Sequence, residues 1–197
     1  MYTIKEVETP VCDIFDKVWE TAEVAKVEII NWAEHTYKPD MTARILYSEY
    51  GLHIKLSTNE DPIVARKRRQ NEQVCEDSCM EFFFRPNAND DRYFNFELNA
   101  FGTMYMSVRR SREDFYYPQE DKKYFKVVSD VGPDEWSVMF TVPFEFIDRE
   151  LGGHTKKIYG NLYKCGGDKK HYLTYYPVGT ERPDFHRPEY FGEFELE

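Results

Sequence analysis

Two carboxylates raise the first chemical question. Glu97 lies in Tyr93-Phe94-Asn95-Phe96-Glu97-Leu98-Asn99 and Glu81 in Cys79-Met80-Glu81-Phe82-Phe83-Phe84. In a β-strand, successive side chains face opposite ways. Burying Phe94, Phe96 and Leu98 therefore leaves Tyr93, Asn95, Glu97 and Asn99 on the other face, and burying Met80, Phe82 and Phe84 leaves Cys79, Glu81 and Phe83 there. If the two strands are neighbours in one sheet, Glu81, Glu97 and Asn99 line a shared polar surface. Carboxylates and amides in fixed places, with aromatic rings beside them, suit sugar hydroxyls and the apolar C–H face of a pyranose. The same residue types also serve as ordinary solvated strand residues.

Paired carboxyls roughly 5 to 10 Å apart are also the machinery of a glycosidase. Adjacent strands put Glu81 and Glu97 in that range, as any antiparallel sheet does for some pair. A small glycoside hydrolase or lyase using this pair is thus one alternative to simple binding; a sandwich whose ligand site has decayed into an interaction surface is another. No nucleophile elbow, H-E-x-x-H helix or phosphate-cradling glycine loop is present. Cys75 and Cys79 lack zinc-knuckle spacing, so no metal site is assigned, and the four cysteines read as reduced thiols. No cofactor is required; Asn89-Asp90-Asp91 offers oxygen ligands for a structural calcium, and a plain hairpin turn explains it equally well.

The elements that must position these groups are strands. Leu52, Ile54 and Leu56 alternate with His53, Lys55 and Ser57, and Ala43–Tyr47 is the expected hairpin partner across Ser48-Glu49-Tyr50-Gly51. Further runs at 80–84, 93–99, 104–108, 125–128, 136–142, 158–163, 173–176 and 191–196 bring the count to about ten. Short strands separated by turn residues predict an antiparallel, jelly-roll-like β-sandwich with one or two short helices. The helix candidates are Pro143–Gly153, with Pro suited to its first turn and Gly152 to its cap, and a turn at Asp16–Thr21.

Length and the absence of repeats or linkers predict a single domain over residues 1–197. A formal charge of -10 argues against nucleic-acid partners, and no apolar run is long enough for a membrane span. The oligomeric state is not readable. No basic segment followed by an apolar core opens the chain, which reads as cytoplasmic as it stands and as secreted if a leader has been removed. Aromatic residues make up 17%, more than a core alone has to use.

The C-terminal stretch Arg182-Pro183-Asp184-Phe185-His186-Arg187-Pro188 adds a ligand candidate. Each proline locks φ and biases its predecessor toward extended geometry, so the loop is expected to hold Phe185 out as a stacking platform with His186 and Arg187 beside it.

Several stretches in order, Asp13–Trp19, Thr42–Tyr47 with Leu52–Ile54, Asp77–Phe83, Asn161–Gly166 and Pro183–Gly192, together resemble the family 9 carbohydrate-binding modules. The resemblance spans nearly the whole chain. It implies a jelly-roll sandwich that is not itself catalytic, is usually attached to plant-polysaccharide hydrolases such as xylanases, and holds a terminal sugar between two aromatic rings. Carried over residue by residue, Glu81 and Asn99 fall on sugar-contacting polar positions and Phe185 on one clamp aromatic. The other, a Trp in the family, aligns near Val74-Cys75, where this chain has no ring; Glu97 stands where some members carry Arg. Tyr93, Tyr105, Tyr175 or Tyr176 are the candidates to replace the ring. If the basic run Arg66–Arg69 reaches the cleft, acidic sugars become candidate ligands.

Overall fold

The computed structural model describes all 197 residues. In chain order the elements are β1 (Tyr2–Glu6), β2 (Ala25–Lys26), β3 (Ile29–Ile30), β4 (Met41–Ser48), β5 (Gly51–Thr58), β6 (Cys79–Arg85), β7 (Tyr93–Asn99), β8 (Met104–Arg109), β9 (Phe115–Tyr116), β10 (Val128–Val131), β11 (Trp136–Pro143), helix α1 (Phe144–Leu151), β12 (Lys157–Cys165), β13 (Tyr172–Thr174) and β14 (Gly192–Leu196). The hydrogen-bonded order is β10-β11-β5-β4-β1-β14-β12-β6-β7-β8-β9, and this path folds over into two facing layers. Phe82, Phe84, Phe94 and Phe96 of one layer share a core with Ile45, Ile54, Val138 and Phe140 of the other, and the Phe96 and Phe140 rings meet at 5.3 Å. Each such ring contributes about 1.5–3 kcal/mol by leaving water, so period-two burial sets which face of each strand turns inward.

The sheet is not purely antiparallel. β1 runs parallel to β14 through Tyr2↔Phe194 and Ile4↔Leu196, and parallel to β4 through Lys5↔Leu46. It crosses from one layer to the other and seams them together. The expected strand at 125–128 also shifts. Phe125 ends a turn that inserts its ring into the core, Lys126 is left-handed at φ +50°, and the strand begins at Val128. Helix α1 follows Pro143 and ends at Gly152, whose φ of +72° suits glycine. No helix is long and apolar enough to cross a membrane.

A second, smaller core lies on the other face of β6, β7, β8 and β12, made of Trp32, Val74, Phe83, Tyr93, Tyr105, Tyr163 and Phe185 among others. This layer is covered on both sides, which is why all seven residues of β7 are buried. The polar face expected at a solvated surface is therefore roofed by loops. That change of environment decides its chemistry.

Candidate functional site

The floor of the roofed face is set by strand register. Glu81 and Glu97 are direct cross-strand partners on β6 and β7, with Tyr163 of β12 flanking Glu81 and Tyr105 of β8 flanking Glu97. Glu81 is 2% exposed and accepts a hydrogen bond from Cys165 Sγ at 3.0 Å; Glu97 accepts from Asn95 Nδ2 at 3.0 Å. Above them opens a cavity of about 860 Å³, within the usual range for small-molecule sites. Burial pushes the Glu81 carboxyl well above the usual carboxylate range, and the neighbouring Cys165 and Glu97 push the same way. Burial also raises Glu97, opposed by its Asn95 hydrogen bond and by Arg109. A carboxyl held neutral both donates and accepts, which matches a sugar hydroxyl.

Phe185 lines this cavity but does not project from the loop. It is 8% exposed, one face stacked on Tyr163 at 4.2 Å and 13°, with Trp32 and Tyr172 against it at 6.1 and 5.9 Å. Tyr163 Oη donates to the Phe185 carbonyl at 3.1 Å, and Trp32 Nε1 donates to the Thr180 carbonyl at 2.8 Å. The proline-stiffened loop is thus tied down onto the second core, and the ring forms part of a wall. His186 lines the same wall, stacked on Phe83 at 5.1 Å and hydrogen-bonded through Nδ1 to Tyr93 Oη at 3.1 Å. Burial, with Arg109 and Arg112 nearby, lowers its pKa to about 3, so it is neutral. Arg187 is outside the cavity, ion-paired to Glu189 at 2.8 Å.

Asn99 is also outside it. Its Nδ2 donates to the Lys67 carbonyl (3.0 Å) and to Asp77 Oδ2 (2.9 Å), while its Oδ1 accepts from Phe101 N (3.1 Å) and Thr103 N (3.0 Å). Two donors and two lone pairs are all an amide has, so nothing is left for a ligand. Asp77 Oδ2 further accepts from Arg66 N and Lys67 N, and Ser78 Oγ from Val64 N. The Asp77-Ser78 pair and Asn99 therefore form a clamp on the loop that carries the basic run. That run does not reach the cavity: Arg66 pairs with Asp168, Lys67 with Glu76, Arg69 with Glu72, and Arg68 lies 3.4 Å over the Phe101 ring. At the rim, Gly166 is required; at φ +81°, an added Cβ would sit 1.8 Å from the Asp77 carbonyl oxygen.

Of the candidate replacement rings, Tyr105 lines the cavity, Tyr93 lies behind His186, and Tyr175 and Tyr176 pack toward Phe194 in the main core. Phe115, Tyr117 and Tyr172 line it as well. Cys75 lines it without a ring, so the ring surface comes from other strands and loops. The sequence reading also missed Arg109, a fully walled guanidinium at 5% exposure. The signal is in the sequence: Tyr105, Ser107 and Arg109 alternate onto the face of Asn95 and Glu97, and β8 runs one residue beyond the expected 104–108.

Cys79, Glu81 and Cys165 bring two sulfurs and a carboxylate oxygen within 4.8 Å of one another. Such a donor set suits zinc rather than calcium, but burial keeps the Cys79 thiol protonated and Cys165 already bonds Glu81. Asp90 and Asp91, considered for calcium, are bound by Arg92 at 2.6 Å and Arg110 at 3.0 Å.

A β-sandwich with one walled cavity, floored by paired carboxyls and sided by rings, is the frame of a small-ligand binding module. Residues 13–196 match carbohydrate-binding family 9, and the chain belongs to that family. Among solved structures it is similar to a candidate carbohydrate-binding protein from Bacteroides uniformis, with 27% identity and a TM-score of 0.87 over 99% of this chain and 98% of that one. It also shares its fold with a family 9 module from Caldicellulosiruptor kristjanssonii, solved with glucose and with cellotriose. There the identity is 14% and the TM-score 0.69, over 99% of this chain and 95% and 93% of those chains. No curated protein matches the chain.

Proposed function

We propose that the chain binds a saccharide, without cleaving it, in the cavity between Glu81, Glu97 and Phe185. The observation that carries this reading is the buried carboxyl pair lying directly across β6 and β7 beneath ring-lined walls. A glycosidase needs its two carboxyls pushed apart, one protonated as acid and one ionised as nucleophile or base. Burial raises both here, and the family 9 module of the same fold holds glucose and cellotriose as bound ligands, which supports binding rather than bond cleavage. Mono- and oligosaccharides derived from plant polysaccharides are the class to test, beginning with glucose and cellotriose, the ligands held by the Caldicellulosiruptor module.

Calorimetric titration of glucose, cellotriose and xylo-oligosaccharides tests this. Because Phe185 is buried, truncation to Ala would cost roughly 3 kcal/mol of stability and confuse folding with binding. Phe185→Leu keeps most of the volume and removes the ring face. It is expected to weaken saccharide binding about tenfold; unchanged affinity in the folded variant would remove the ring from the site. Release of reducing ends from these oligosaccharides, lost in Glu81→Gln, would instead establish the hydrolase.

A further inference from the structure

Arg109 stands in the cavity wall, held entirely by neutral acceptors. Its Nε donates to Asn95 Oδ1 (3.1 Å) and Ser107 Oγ (2.8 Å), one terminal nitrogen to the Arg112 carbonyl (2.8 Å) and the other to Tyr105 Oη (2.6 Å). Every acceptor is formally neutral, and no carboxylate oxygen lies within 4.0 Å of the guanidinium. The Phe115 ring covers it at 4.2 Å. Guanidinium carries five N–H protons; these bonds use three, leaving one on each terminal nitrogen. An arginine this buried without a counter-ion is costly.

The other charges around the cavity do not supply one. Glu76 is taken by Lys67 at 2.6 Å and Asp168 by Arg66 at 3.4 Å, both from outside the cavity, while Arg112 is matched by Asp184 at 2.6 Å. Glu81 and Glu97 bond Cys165 and Asn95, and neither pairs with the Arg109 guanidinium. The cations left without an ion pair are therefore Arg109, deep in the cavity, and the exposed Lys170 at its mouth. The walls thus discriminate by charge although the protein as a whole is acidic.

We propose that the cavity selects saccharides bearing a carboxylate, uronic acids or sugar acids, with the carboxylate bridging the two free N–H groups of Arg109. A planar fork of two donors matches two carboxylate oxygens, which lysine cannot do. The proposal rests on the cavity being a saccharide site, and its test separates the two claims.

Calorimetry on the full chain compares glucose with glucuronate, galactose with galacturonate, and each uronate with its methyl ester, at low and high salt, with glucose 6-phosphate as a second anion. The acid is expected to bind about tenfold tighter than its neutral counterpart or ester, with the advantage shrinking in salt. In Arg109→Gln the acid-to-ester affinity ratio should fall to about one, whatever the affinity for the neutral sugars. If that variant does not fold, the acid-to-ester ratio in the unaltered protein decides alone. Equal binding of acid and ester overturns the carboxylate subsite and leaves saccharide binding standing; glucose 6-phosphate binding tighter than glucuronate reassigns Arg109 to phosphate. No binding of any of these sugars overturns both claims.

Discussion

Glu81 and Asn99 look equivalent in the sequence, two polar residues on the same face of neighbouring strands, and the structure puts them to opposite uses. At the Glu81 end, Glu81, Glu97 and Arg109 lie under open volume with donor or acceptor capacity unspent. At the Asn99 end, every hydrogen-bonding group of the amide is consumed by Asp77, Lys67, Phe101 and Thr103. The difference teaches that residue type and face nominate a ligand contact, while leftover hydrogen-bonding capacity elects it. One end of the polar face floors the cavity; the other holds its roof in place.

The largest test of this division is Asn99→Ala. It leaves the amides of Phe101 and Thr103 without their acceptor, each costing about 1–3 kcal/mol when unsatisfied, and removes one donor from the Lys67 carbonyl and from Asp77 Oδ2, which keep Thr103 Oγ1 and the Arg66 and Lys67 amides. Water reaches some of them, so the expected loss is roughly 3 kcal/mol in chemical denaturation. Saccharide affinity of the folded protein should change less than threefold. A stable variant that loses binding would move Asn99 back into the site.

At the open end the order reverses. Glu81→Ala should lower saccharide affinity at least tenfold by removing a donor and an acceptor together. Glu81→Gln presents the same shape with one acceptor and donors, as a protonated carboxyl does, and should bind within about threefold of the unaltered protein. If Gln and Ala are equally damaging, the carboxyl works as an anion.

The same neutrality predicts a pH response. The folded carboxyl titrates above the unfolded value of about 4.3, so from that pH upward the folded state holds more protons than the unfolded state. Stability from this group is fully present below pH 4.3 and is lost as pH rises through the folded pKa. The buried histidines act in the opposite direction: His53 and His171 fall to about 4 and His186 to about 3, so their cost appears on acidification below about 6.5. The stability difference between Glu81→Gln and the unaltered protein isolates the carboxyl. It should grow in favour of Gln with rising pH; a flat difference would mean the carboxyl is ionised without penalty.

Period two made the core faces readable, because Phe94, Phe96 and Leu98 have one environment wherever the strand lies. It placed Glu81 opposite Glu97 for the same reason. What it could not supply were relations between distant segments. β1 seams the layers by pairing with residues of β14 at the other end of the chain, and a five-residue run carries no sign of that. Asn99 is saturated by a loop some thirty positions earlier and by its own hairpin turn. Phe185 lines the cavity, yet the prolines that stiffen its loop say nothing about its direction. Tyr163 and Trp32 decide that by drawing the ring down.

Arg187 gives the smallest expected effect and the cleanest negative. It follows His186 in sequence, carries a charge suited to a ligand, and belongs to the same proline-bounded loop, so by sequence it is as good a candidate as its neighbour. Its guanidinium is exposed and spends itself on Glu189 at 2.8 Å, with Asp184 at 3.8 Å. Exposed pairs of this kind contribute about 0–1 kcal/mol, and the side chain does not line the cavity. Arg187→Ala should therefore shift stability by less than about 0.5 kcal/mol and leave affinity for neutral and acidic saccharides unchanged. A selective loss of uronate affinity in Arg187→Ala would show that the cation serving the cavity comes from the loop rather than from β8, and would reverse the assignment of Arg109.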